Sequence, residues 1–191
     1  MNKIVVGITG ASGSIYAVKL VKQLLKRGYF VHLVCTDTAR KVLNYETGLD
    51  LETWVEKLKA KYHALALENN GNLFSPIASG SAPVDAVVVV PCSMSTLGEI
   101  AAGTGKTLLC RAADVAMKEN RKLLLIPRET PLSAVHLENM LKLTRLGVGI
   151  LPAMPGFYGK PESVTELVNF VVGKALDWLG IENDLYDRWE E

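Results

Sequence analysis

Five short aliphatic runs punctuate the chain, at approximately 3–8, 29–35, 85–91, 122–127 and 148–152, separated by segments of mixed polarity. Runs this short and this continuously apolar read as strands buried on both faces, as in a parallel sheet. Between them, apolar residues recur at the helical period. Ile15, Val18, Leu20, Val21, Leu24 and Leu25 mark one broad face of a helix over about 13–27. Leu51, Trp54, Val55, Leu58, Tyr62 and Leu65 repeat in the same way and predict a helix over 51–67. Further helices are predicted over 95–103, 106–119 and 132–146. The last, 161–179, is expected to carry Pro161 in its first turn and to stop at Gly180. Leu73-Phe74 suggests a short sixth strand inside the one long loop, 68–83. Strand–helix alternation predicts a single three-layer α/β/α domain over 1–191, with a doubly wound, mostly parallel sheet.

Composition narrows the class. A chain of 191 residues with 49% hydrophobic content suits one packed domain and argues against disorder. A net charge of +1 gives no electrostatic case for a nucleic-acid partner. No apolar stretch reaches the roughly 18–20 residues of a membrane span. Met1-Asn2-Lys3 runs directly into Ile4-Val5-Val6, so no signal peptide is expected. Cys35, Cys92 and Cys110 are widely spaced and form no metal pattern with His32, His63 or His136. The expectation is a cytoplasmic protein with reduced thiols and no metal.

Candidate chemistry gathers where the predicted strands end. Leu123-Leu124-Leu125-Ile126 stops at Pro127-Arg128-Glu129-Thr130-Pro131. Ligands of open parallel sheets bind beyond such carboxyl ends. There an arginine suits an anion, and a glutamate can move a proton. The first strand enters Gly7-Ile8-Thr9-Gly10-Ala11-Ser12-Gly13-Ser14, a glycine-rich turn before a helix and so a candidate phosphate site. Its GxxGxxG spacing is not the dinucleotide pattern, and the second strand ends in Cys35-Thr36-Asp37, with Thr36 first in line. That favours a mononucleotide over NAD. A second hydroxyl-rich turn, Cys92-Ser93-Met94-Ser95-Thr96, ends the third run. Cys92 itself reads better as a small buried residue than as a nucleophile. Gly103-Thr104-Gly105-Lys106-Thr107 lacks the preceding strand and first glycine of a triphosphate-binding loop and reads as a break between helices. Arg111 and Lys118 share a helical face, with Asp114 between them. His136 suits a structural hydrogen bond. Phe157-Tyr158, after Pro155-Gly156, could cover an apolar ligand while the hydroxyl bonds a phosphate.

Taken together these stretches resemble the flavin prenyltransferase family, within the flavoprotein group that includes the cysteine-peptide and pantothenoylcysteine decarboxylases. The resemblance rests on Thr9-Gly10-Ala11-Ser12-Gly13, Pro91-Cys92-Ser93-Met94-Ser95-Thr96-Leu97, Arg111-Ala112-Ala113-Asp114-Val115, Lys118-Glu119, Pro127-Arg128-Glu129-Thr130-Pro131, His136-Leu137-Glu138-Asn139-Met140-Leu141 and Pro155-Gly156-Phe157-Tyr158. It implies a Rossmann-like or flavodoxin-like fold. The implied reaction moves the five-carbon unit of dimethylallyl monophosphate onto reduced FMN, at N5 and C6, giving prenylated FMN for a separate decarboxylase of the ubiquinone or aromatic-acid type. Older names for the family call it an aromatic acid decarboxylase.

The resemblance also implies roles. Ser12 lies by the flavin N5 with Glu46 as the acidic residue near it; Gly10, Ala11, Ser12, Thr36, Ser93, Met94, Ser95, Thr96 and Arg111 hold FMN. Lys118, Arg128, Tyr158 and Lys174 hold the prenyl phosphate, and Glu129 assists proton transfer. Three converging cations suit a monophosphate donor without metal. Many members carry arginine at the Lys174 position, so lysine here forgoes the bidentate fork. A homo-oligomer, expected to be a dodecamer, is implied, with the helix and tail 161–191 at a subunit contact. Two other readings stand beside this one: an FMN-dependent decarboxylase acting directly on an aromatic or cysteinyl acid, and a non-enzymatic FMN-binding module. The cysteinyl decarboxylases rely on a histidine after the first strand–helix unit, and no histidine lies near Glu46 in sequence.

Overall fold

The computed structural model describes residues 2–189. Six parallel strands form one sheet among them: β1 (Lys3–Ile8), β2 (Phe30–Cys35), β3 (Leu65–Glu68), β4 (Ala86–Cys92), β5 (Lys122–Pro127) and β6 (Gly149–Ile150). Their order is β3-β2-β1-β4-β5-β6, the doubly wound order whose direction reverses between β1 and β4. Leaving aside the edge strand β3, the remaining five keep the flavodoxin-like order. Among the described residues seven α-helices accompany the sheet: α1 (Ser14–Lys26), α2 (Asp37–Thr47), α3 (Leu51–Tyr62), α4 (Met94–Ala102), α5 (Leu108–Lys118), α6 (Ala134–Arg145) and α7 (Val164–Leu179).

The fully buried strands divide their side chains between two cores. Ile4, Val6, Ile8, Val88 and Leu124 face α1, α3 and α7, while Val5, Val87, Val89, Leu123 and Leu125 face α4 and α5. The period-2 alternation of the backbone sorts these neighbours to opposite faces, and burial on both faces explains the continuous aliphatic runs.

Four points of the sequence reading need correction. Helix α2 falls where no helix is predicted. It buries only Ala39 and Leu43 among eleven residues, too few to make an apolar stripe visible. The helix expected over 51–67 stops at Tyr62, because His63 turns left-handed at φ 54°; Leu65, in phase with the helical period only by coincidence, begins β3 instead. The sixth strand is therefore Leu65–Glu68, and Leu73-Phe74 lies in a turn with Phe74 almost fully exposed. Helix α7 begins after Ser163, whose side chain caps it, so Pro161 precedes the cap.

Candidate active site

Thr9 closes β1 at the point where the sheet reverses direction. It is fully buried, and its hydroxyl donates to the Pro91 carbonyl at 2.7 Å while accepting from the Ser93 N–H at 2.7 Å. This staple sets the two turns after β1 and β4 side by side. Ser93 caps α4 by accepting from the Thr96 N–H, and Thr36 caps α2 by accepting from the Ala39 N–H. Thr36, Ser93, Ser95 and Thr96 thus sit at helix N-termini that open at strand ends.

The glycine-rich turn differs from the expected phosphate cradle. Helix α1 has no side-chain cap of its own; the carboxylate of Glu46, from α2, supplies one. It accepts from the Gly13 N–H at 3.0 Å and the Ser14 N–H at 2.8 Å. Burial opposes ionisation of Glu46, but bonds from the Ser12 hydroxyl, the Ser14 N–H and the Gly13 N–H outweigh it and hold the carboxyl below its ordinary pKa. The dipole of α1 is therefore occupied by an internal anion. Gly13 adopts φ 109°, the left-handed region that favours glycine. At Gly10 an added Cβ would stand 2.6 Å from Thr38 Cγ2, so the Thr38 side chain packs directly on the turn and leaves no room for a larger residue there.

Arg128 and Glu129 follow β5 on the same side of the sheet, with the Arg128 N–H donating to the Cys92 carbonyl at 3.4 Å. Burial raises the Tyr16 hydroxyl above its ordinary pKa, and the positive charge of Arg128 partly offsets this, so the end of β5 lies near α1. Tyr158 lies on the loop after β6, edge-on to Phe170 at 5.7 Å and to Trp189 at 5.6 Å. Lys174 extends from α7 over the rings of Phe170 and Tyr186.

The chain aligns with the flavoprotein family over residues 1–176. A curated relative from Methanocaldococcus jannaschii, flavin prenyltransferase UbiX, is 49% identical over 98% of both chains. The chain belongs to the flavin prenyltransferase family. A solved structure of AnUbiX (PadA1) in complex with FMN and dimethylallyl pyrophosphate superposes with TM-score 0.92 at 38% identity, covering 100% of this chain and 98% of the other. A dodecameric FMN-dependent UbiX-like decarboxylase from Escherichia coli O157:H7 gives 0.91 at 41% identity, covering 99% and 100%.

In this member of the family the three expected phosphate cations do not converge within one protomer. Lys118 ends α5 just before β5 starts, pairs with Glu119 at 2.8 Å and lies against Gly80. Arg128 follows the other end of β5, six residues and roughly 20 Å away along the sheet. Sequence spacing put both on one sheet but could not say at which end. Arg111 likewise faces the segment after β3: its Nε donates to the Ala78 carbonyl at 3.1 Å and Asp114 accepts from it at 2.8 Å. Two residues escaped the sequence reading as parts of the site. Thr9 was visible only as a motif letter, and Tyr16 only as a helix position.

Other candidates fall away. His136 accepts from the Ser133 N–H in a capping box, and His32 pairs with Glu68 at 2.8 Å. Cys92 is fully buried and its thiol is pushed up by burial, which suits a packing role. Thr107 caps α5, confirming a break between helices at the false nucleotide loop. Among the described residues no cluster suits a metal and no helix is long and apolar enough to cross a membrane.

Proposed function

We propose that this protein transfers the dimethylallyl unit of dimethylallyl monophosphate to N5 and C6 of reduced FMN, releasing phosphate and prenylated FMN. The observation that carries this reading is the Glu46 carboxylate fixed on α1 and bonded to Ser12, with Arg128 near Tyr16 of the same helix. The donor set suits FMN. Gly10 and Ala11 put only small residues on the turn after β1, and Thr36, Ser93, Met94, Ser95 and Thr96 surround helix N-termini suited to the polar and anionic parts of FMN. Arg111 is a further cation for that tail.

Reduced FMN supplies the nucleophilic N5 and C6. The chain does the rest. Arg128, Tyr158 and Lys174 hold the phosphate and stabilise charge as the carbon–oxygen bond breaks. Lys118, at the far end of its own sheet, serves the site of a neighbouring protomer, which makes the assembly part of the active site. Glu46 keeps a negative charge near the carbon end of the donor. Ser12 orients toward N5 through its bond to Glu46, and Glu129 receives or returns the proton displaced during ring closure.

The functional unit is a single flavoprotein domain in a homo-oligomer, a dodecamer, with α7 and its tail at a subunit contact. Residues 190 and 191 of that tail lie outside the described residues. Outward-facing Met154, Phe157, Val164 and Trp189 suit such a contact. The released cofactor serves a separate prenylated-FMN-dependent decarboxylase. Three buried free cysteines fit a reducing, cytoplasmic setting.

Anaerobic incubation with reduced FMN and dimethylallyl monophosphate tests the proposal. A flavin product heavier by one prenyl unit is expected. Unchanged flavin, with carbon dioxide released from an added aromatic acid, would establish direct decarboxylation instead.

A further inference from the structure

The segment after α7 returns along that helix and packs around Lys174. The Lys174 ammonium lies 5.2 Å from the Tyr186 ring centroid and 5.8 Å from that of Phe170, and the two rings meet at 5.2 Å with a tilt of 65°. Tyr186 can lie there because residue 173 has no side chain. A Cβ at Gly173 would stand 2.4 and 2.8 Å from Cδ1 and Cε1 of the ring. A glycine inside a helix weakens it, and what it admits here is this ring. The Tyr186 hydroxyl donates to Asp177 at 2.5 Å, and Asn183 donates to the Gly173 carbonyl at 3.2 Å, fixing the ring from both sides.

We propose that Tyr186, seated in the slot left by Gly173, is a positioning residue that holds the Lys174 ammonium ready for the prenyl phosphate. An exposed lysine loses rotamer freedom when it binds an anion, and that loss weakens the contact. Two aromatic faces restrict the ammonium beforehand through cation–π attraction. They give a single-point cation some of the preorganisation that a planar guanidinium has built in. The inference rests on Lys174 acting as a phosphate ligand, as argued under the proposed function.

The test is steady-state prenyl transfer with dimethylallyl monophosphate varied, FMN affinity and Tm being measured alongside. Tyr186→Leu keeps apolar bulk but loses the ring face. It should raise KM about tenfold, with kcat within about twofold and FMN affinity unchanged. Tyr186→Phe keeps the face and should rescue KM. Gly173→Ala displaces the ring while favouring the helix, so it should raise KM as Tyr186→Leu does without a loss of Tm attributable to the helix. In a Lys174→Ala background, Tyr186→Leu should add nothing. An additive effect in that background, a Phe variant that behaves like Leu, or a Gly173→Ala variant with wild-type KM would overturn the inference. If the wild-type protein makes no prenylated flavin, the activity reading itself fails. If it does, and Tyr186→Leu keeps the wild-type KM, only the role of Tyr186 fails.

Discussion

The Glu46 carboxylate caps a helix to which it does not belong, accepting from the Ser14 N–H at 2.8 Å across 32 residues of sequence. It joins α2 to α1, and it fixes a negative charge at the turn where the reaction is proposed to occur. Glu46→Ala should cost about 1 kcal/mol of stability, as other cap deletions do, and slow prenyl transfer about 100-fold. Thermal unfolding and product formation measure the two losses separately. Because its pKa is lowered in the fold, the contribution of Glu46 to stability is complete above the ordinary carboxylate range and fades as pH falls below it.

Lys118 and Arg128, at opposite ends of β5, predict complementation between subunits. Lys118→Ala and Arg128→Ala proteins should each be nearly inactive as pure assemblies. Co-expressed in mixed assemblies, they should recover about a quarter of wild-type activity, the share of sites that receive both intact residues by random assembly. No recovery would mean that both residues serve one protomer's site.

Thr9→Val replaces the buried hydroxyl by a methyl of similar shape. The Ser93 N–H loses its acceptor at the sheet's reversal point. A loss of about 1–3 kcal/mol is expected in denaturant unfolding, the cost of a buried polar group left unpaired. Weaker FMN binding should accompany it, because the Ser93 turn is no longer held against the Gly10 turn.

The tail that carries Tyr186 and Trp189 should loosen in acid. Asp177 accepts from Tyr186, Asn183 and Arg188. Burial resists its ionisation, but these partners, Arg188 foremost, hold its carboxyl below the ordinary value. The depressed pKa fixes the sign: the tail is held above the usual aspartate range and released as pH falls through the lowered value. Hydrogen-exchange protection of residues 181–189, taken relative to the intrinsic rate at each pH, should fall on acidification, and Asp177→Asn should abolish that change in protection.

All three cysteines should resist alkylation in the folded protein. They are buried, and burial pushes Cys35 up to about 12 and Cys110 to about 11, leaving little thiolate at neutral pH. Iodoacetamide at pH 8 should label them only after unfolding.

The sheet was legible because buried strands leave continuous aliphatic runs, as Val87-Val88-Val89-Val90 and Leu123-Leu124-Leu125-Ile126 do. Helix α2 was not, because Ala39 and Leu43 alone carry its packing. Strand β3 was hidden by Tyr62 and Leu65, which extend the helical period past a left-handed residue that no glycine marks. The turns holding Ser12, Ser93 and Arg128 could be placed at strand ends from pattern alone. The position of Glu46 on α1 and the separation of Lys118 from Arg128 could not, since both depend on how distant elements pack. The role of Glu46 came from resemblance, and its geometry came from the fold.

By spending the positive end of α1 on its own carboxylate, the protein sets a full negative charge where that helix would otherwise present a partial positive one. Under the proposed reaction a phosphate is disfavoured there, while a carbon centre losing its leaving group is favoured. On that proposal the donor would be sorted end for end before any bond breaks, its anionic head toward the arginine and lysine and its allylic tail toward the flavin.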